Sequence, residues 1–179
     1  VNIPASVTSI GEAAFEHCDK LSSVTVDNGN KAYCSDNGIL FNKDKTSIIC
    51  YPADMQGINY NIPSSVTYIK AGSFYGCTGL WSVVIPTSVI FIGDNAFYGC
   101  GNLRSVTIPP SVTFVGDNVL YGCGCLHSVI IPSSILSIGT HTFYKCAGLN
   151  SIYVYSANPI SMNVDAFKDV QVSSCVLHV

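Results

Sequence analysis

The chain has 179 residues, 48% hydrophobic and only 11% charged, with a formal net charge of −3. That length suffices for one domain with a substantial core. The Lys and Arg residues never cluster, so there is no basic patch to track phosphates and nucleic acid is not an expected partner. No apolar run approaches the roughly 20 residues of a membrane helix, so this fragment is not expected to insert into a membrane. With so little charge the polar surface must come from Ser, Thr, Asn and Gly, which suits an extracellular protein.

The sequence opens at Val1 directly in a repeat-like segment, Ile3-Pro4, Val7, Ile10-Gly11, Phe15, Cys18, Leu21 and Val24, so no signal peptide is expected within it. Residues 27–59 break that rhythm. There Gly38-Ile-Leu-Phe41 and Ser47-Ile-Ile-Cys-Tyr51 flank the polar Asn42-Lys-Asp-Lys-Thr46, a pattern that predicts a β-hairpin. It is expected to be an irregular unit inside the stack, leaving 1–179 as a single domain.

From residue 62 onward the chain repeats every 23 residues. Cys77, Cys100, Cys123 and Cys146 form one column, and Leu80, Leu103, Leu126 and Leu149 another. Ile62, Ile85, Ile108, Ile131 and Val154 form a third, with Pro63, Pro86, Pro109 and Pro132 behind four of them. In each unit a V-x-I segment alternates as a short strand does, and Pro ends it. Val89, Ile92 and Phe97 are the apolar positions of the return side, where Gly93 is expected to permit a turn. One unit cannot bury such a face alone, whereas copies stacked about 4.8 Å apart build a continuous core. The predicted fold is a curved, right-handed leucine-rich repeat solenoid of short parallel strands and little helix. The last copy is irregular, with Phe167 falling 24 residues after Phe143, and Cys175-Val-Leu-His-Val179 reads as half a strand. Both ends are therefore expected to be interrupted repeats.

The segments Ile85-Pro-Thr-Ser-Val89, Ile92-Gly-Asp-Asn-Ala-Phe97, Gly99-Cys100 and Gly38-Ile-Leu-Phe-Asn-Lys-Asp44 resemble the BspA-type, or treponemal-type, leucine-rich repeats of Bacteroidetes surface proteins. The resemblance covers nearly the whole chain, although Lys70 stands where the pattern has Gly and Leu120 where it has Phe. It implies a secreted or outer-membrane-anchored protein that adheres to host proteins or glycans, and it brings no catalytic residues.

Nine cysteines raise disulfide and metal readings. Only Cys123-x-Cys125 approaches a metal-ligand spacing, so no metal site is expected. Parallel neighbours in the Cys column would hold their Cβ atoms too far apart to bridge, so these are expected to be buried thiols. Cys34 and Cys50 flank the hairpin and would be the pair to bridge in an oxidising compartment. His17, His127, His141 and His178 share no column, and no catalytic triad, carboxylate pair or phosphate loop can be assembled. A non-enzymatic chain without cofactor is expected.

Four aromatic or variable columns remain. Tyr75, Tyr98, Tyr121 and Tyr144 predict a stacked ladder along one edge. Tyr68, Phe91 and Phe114 occupy the position that is Ser in the outer units (Ser9 and Ser137), with Ile90 and Leu136 beside them. If they point outward they form an apolar binding stripe, and otherwise they pack on the core or a neighbouring repeat. On the strand side, Trp81, Arg104, His127 and Asn150 form one varied column, and Val84, Thr107, Ile130 and Tyr153 the next. Trp81, Arg104, His127 and Tyr153 are thus candidate contact residues. The expected role is a binding or adhesion module for a host or cell-surface protein. A carbohydrate-binding module and a structural spacer are the alternatives.

Overall fold

A computed structural model describes residues 1–156, 160–163, 165–170 and 176–178. Two parallel β-ladders run along the stack and share one core. The first contains Asn59–Asn61, Ser82–Val84, Ser105–Thr107, Ser128–Ile131, Ser151–Val154 and Val176–His178. The second, on the return side, contains Ser47–Cys50, Tyr68–Ile69, Phe91–Ile92, Phe114–Val115, Ser137–Ile138 and Ser161–Met162. The register follows the repeat: Val83 lies opposite Val106, Val106 opposite Val129, and Val129 opposite Ile152. In the last turn Ser137 pairs with Ser161, which absorbs one extra residue. Among the described residues there is no helix. The molecule is therefore a leucine-rich repeat solenoid. Of the C-terminal half-strand, Val176–His178 pairs with Ser151–Tyr153, while Cys175 and Val179 lie outside the described residues.

Alternation decides which side chains face the core. Val83, Val106, Val129 and Ile152 point inward from the first ladder, and Ile48, Ile69, Ile92, Val115 and Ile138 from the second. Phe74 and Phe97 stack at 4.8 Å, as do Phe143 and Phe167, with Leu120 filling the rung between. The Ser two residues after each Pro-ended strand ties rung to rung. Ser88, Ser111 and Ser134 donate from Oγ to the carbonyls of Val66, Val89 and Val112 at 2.7, 2.5 and 2.6 Å.

Gly93 has a different reason from the expected turn. A Cβ there would lie 2.7 Å from the Ala71 nitrogen, and one at Gly116 would lie 2.8 Å from the Asp94 nitrogen. Close approach between successive backbones requires glycine in this column, not a left-handed turn. The left-handed positions fall nearby instead, at Gly72, Asn95, Asn118 and His141, and at Gly76, Gly99, Gly122 and Lys145.

The irregular unit contains three antiparallel strands, Tyr33–Asp36, Ile39–Asn42 and Ser47–Cys50. Asn37 and Gly38, at φ 49° and 82°, form the two-residue turn between the first two, as a primed hairpin turn demands. Gly38 therefore belongs to the turn rather than to the strand that the sequence suggested. The Cys34–Cys50 bridge that an oxidising compartment would allow is not formed, and both are free thiols. Cys34 pairs across with Phe41, Cys50 with Leu40, so pleating sends the two sulfurs to opposite faces. Cys34 packs on the main core, and Cys50 on a second one formed with Ile3, Val24 and Leu40.

Candidate binding surfaces

The aromatic stripe points outward. Strand pairing sets Tyr68 beside Phe91, and Phe114 one rung on. They are 41%, 37% and 41% exposed, and Ile90 and Leu136 beside them 48% and 71%. The ring centroids lie 6.3 Å apart in both steps, with planes tilted by 49° and 22°. That looser spacing leaves ring faces partly open, unlike the close stacks elsewhere in the molecule. Lys70 Nζ lies 5.7 Å from the Tyr68 ring and caps one end. From the sequence Lys70 stands out only as a departure from glycine.

Trp81, Arg104 and His127 emerge from the first ladder, so they do not join the stripe, which lies on the second. All three are exposed, and Tyr153 is half-buried. The column is continued by backbone bonds: Arg104 N–H donates to the Trp81 carbonyl at 3.0 Å, and His127 N–H to that of Arg104 at 3.1 Å. The Arg104 Cζ sits 4.0 Å from the Trp81 ring centroid, so the guanidinium covers one indole face. Ile58, exposed and one period before Trp81, extends the column. The 23-residue spacing carried that signal, and the column as read from the sequence began too late.

The Tyr column forms the close ladder its spacing suggested. Tyr75, Tyr98, Tyr121 and Tyr144 stack at 4.8, 4.5 and 4.8 Å with planes within 25°. His17 caps it at Tyr75, with 3.2 Å between Nε2 and the hydroxyl, and Lys145 lies against Tyr121 and Tyr144. Burial, reinforced by the neighbouring hydroxyl, pushes the Tyr75 and Tyr98 phenols above their ordinary range. His141 Nε2 lies 3.9 Å from Asp165 Oδ2. The side chain of His178 lies outside the description.

A groove of about 530 Å³ separates the N-terminal unit from the return ladder, lined by Ile10, Phe15, Tyr33, Ile49, Glu12 and Lys70. Among the described residues no three metal-ligating side chains converge, and no helix is long and apolar enough to cross a membrane.

The family described as BspA type leucine rich repeat region matches residues 1–61 and 49–173, in 6 copies. A solved leucine rich cell surface protein of Faecalibacterium prausnitzii is 29% identical over 99% of this chain, with a TM-score of 0.88. A leucine-rich repeat protein of Eubacterium ventriosum is also 29% identical, over 84% of this chain, with a TM-score of 0.75. The chain spans 46% and 47% of those two structures. The pneumococcal vaccine antigen PcpA, 24% identical over 99% of this chain and 55% of its own, has a TM-score of 0.67 and shares the fold. Comparison with curated proteins gives no match.

Proposed function

We infer, for a chain that belongs to the BspA-type leucine-rich repeat family, that it is a non-enzymatic adhesion module binding a host or cell-surface protein through its aromatic stripe. One observation carries the reading: Tyr68, Phe91 and Phe114 are exposed together with Ile90 and Leu136 on one continuous face. Soluble chains rarely keep such a patch without a use. Four of the five side chains have no polar atom, so the matching surface is apolar, as on a protein, rather than hydroxyl-rich. Aromatic anchors of this kind concentrate binding energy at protein interfaces. The Faecalibacterium relative is described as a cell surface protein, which supports a secreted or outer-membrane-anchored location for this one.

The test is binding to panels of extracellular-matrix proteins and of glycans, beside a Tyr68→Ser, Phe91→Ser, Phe114→Ser variant. The variant is expected to bind its protein partner at least about tenfold more weakly, since each ring is worth more than 1 kcal/mol if buried at an interface. Its far-UV spectrum and melting should stay unchanged. Equal binding by the variant would move the contact away from the stripe. Silence from every protein and every glycan would instead make the chain a spacer.

A further inference from the structure

We propose that the outer face of the first ladder is a second, independent site for an acidic glycan lying along the stack, its sulfate or carboxylate held between Arg104 and His127.

Charge is the first observation. Between Asp54 and Asp165 the sequence contains only two carboxylates, Asp94 and Asp117. Both already accept backbone bonds on the return side, from Asp117 N–H at 2.9 Å and from Thr140 N–H at 2.6 Å. Lys70, Arg104 and Lys145 lie in the same stretch. Lys70 sits at the stripe and Lys145 at the Tyr ladder, so the first ladder carries Arg104 and no acid, and Arg104, the sole arginine of the chain, makes no ion pair among the described residues. An unpaired guanidinium on a face without carboxylates fits an anionic partner.

Geometry is the second. Stacking on Trp81 at 4.0 Å holds the guanidinium while leaving its in-plane N–H groups free for bidentate bonding. His127 follows on the next rung, backbone-bonded to Arg104 at 3.1 Å, so the two side chains leave the ladder about 4.8 Å apart. One sulfate or carboxylate spans that distance. Trp81 acts here as a positioning residue, since its covered face cannot also receive a sugar ring.

The neighbouring column chooses a glycan over an acidic peptide. Asn59, Ser82, Ser105, Ser128 and Ser151 stand in register down the ladder, next in sequence to Ile58, Trp81, Arg104, His127 and Asn150. This straight row of amide and hydroxyl groups offers a hydroxyl-bearing chain one hydrogen-bond partner per rung. The apolar stripe on the other ladder offers only the Tyr68 hydroxyl.

Trp81 is the only tryptophan, so its emission reports on the site directly. Chondroitin sulfate and hyaluronate are titrated into the intact chain, with dextran as the neutral probe and polyglutamate as the acidic peptide. Calorimetry runs alongside. A saturable change with one or both acidic glycans is expected, weakening as salt rises and absent with dextran. Arg104→Gln, a surface substitution, should weaken binding at least about tenfold and Arg104→Lys less so. His127→Gln should weaken it several-fold, and the triple stripe variant should bind as the native chain does. No response by either method, or equal binding by Arg104→Gln, overturns the site. Polyglutamate binding as tightly as the glycans overturns the glycan assignment.

Discussion

The four column thiols do more than fill space. Cys77, Cys100, Cys123 and Cys146 are buried, and each donates from Sγ to a carbonyl one turn back: Tyr51, Phe74, Phe97 and Leu120, at 3.4, 3.0, 3.3 and 3.1 Å. Thiolates would lose those bonds and sit without solvent. Burial pushes the Cys146 thiol up to about 12, and that of Cys123 upward too; for Cys77, a hydrogen bond with Cys100 comes first and burial second. Folding thus favours the protonated form relative to the ordinary value of 9.0. The unfolded chain releases these protons first as pH rises. For Cys146 the contribution is whole below about pH 9 and is lost progressively toward the folded value near 12, at roughly 1.4 kcal/mol per pH unit. Melting curves of the native chain and of Cys146→Ala between pH 8 and 11 test this. The variant should start lower, by about 1 kcal/mol for the lost bond and packing, and then fall less steeply above pH 9. Parallel lines would mean that the Cys146 thiol is not held protonated. The buried column was legible in the sequence because a small apolar residue recurred with the core. Its hydrogen bonds were not, because the acceptors lie 26 residues back, in a neighbouring turn.

At the scale of single elements, the glycine column shows how one residue type is read correctly for the wrong reason. The recurring I-G step marks a tight place at Gly93, Gly116 and Gly139, yet the tightness lies between rungs and not within the turn. A Cβ at Gly116 would meet the backbone of Gly93 and Asp94 at 2.9 and 2.8 Å, whereas one at Gly11 meets nothing within 4 Å. Lys70 holds the equivalent position in the first full unit and its side chain is exposed. Gly116→Ala is therefore expected to destabilise by about 1–3 kcal/mol or more, as overpacking does, while Gly11→Ala should change stability by less than about 0.5 kcal/mol. Denaturant midpoints of the two variants compare them directly. Equal midpoints would show that the stack breathes enough to absorb a methyl group. The hairpin of Ile39–Asn42 against Ser47–Cys50, with its polar turn between them, was readable from its apolar segments, but a second hairpin one step earlier was not. Asn37-Gly38, flanked by Tyr33–Asp36 and Ile39–Asn42, is the strongest local hairpin signal in the chain. It went unread because Gly38 also fits the apolar run. The outward direction of Tyr68, Phe91 and Phe114 could not be derived from periodicity alone. Only their pairing beside the inward row of Ile69, Ile92 and Val115 settles it.

Across the whole molecule, the irregular unit works as a joint between two cores. Its middle strand sends Ile39 and Phe41 to the main core and Leu40 to the smaller one, which it closes with Ile3, Val24 and Cys50. In a solenoid each unit is stabilised mainly by its neighbours, so the N-terminal unit depends chiefly on this interface, with side-chain contacts from Glu16 to Asn95 and from His17 to Tyr75 beside it. Asn30 is its polar pin. Fully buried, it donates from Nδ2 to the carbonyls of Pro4 and Val7 at 2.8 and 3.0 Å, and its Oδ1 accepts from Ala32 and Tyr33 N–H at 2.8 Å each. Removing the amide strands two carbonyls and two N–H groups, at about 1–3 kcal/mol for each that water cannot reach. Because the main core takes no part in those bonds, the loss should stay local. Asn30→Ala is expected to raise hydrogen exchange in residues 1–26 by at least about tenfold, while protection over residues 62–152 stays as in the native chain. Uniform loss of protection along the chain would mean that the two cores unfold as one, and that the joint transmits what this geometry says it isolates. Local loss would leave both proposed binding faces intact, since Tyr68, Phe91 and Phe114 on one ladder and Trp81, Arg104 and His127 on the other belong to the main stack.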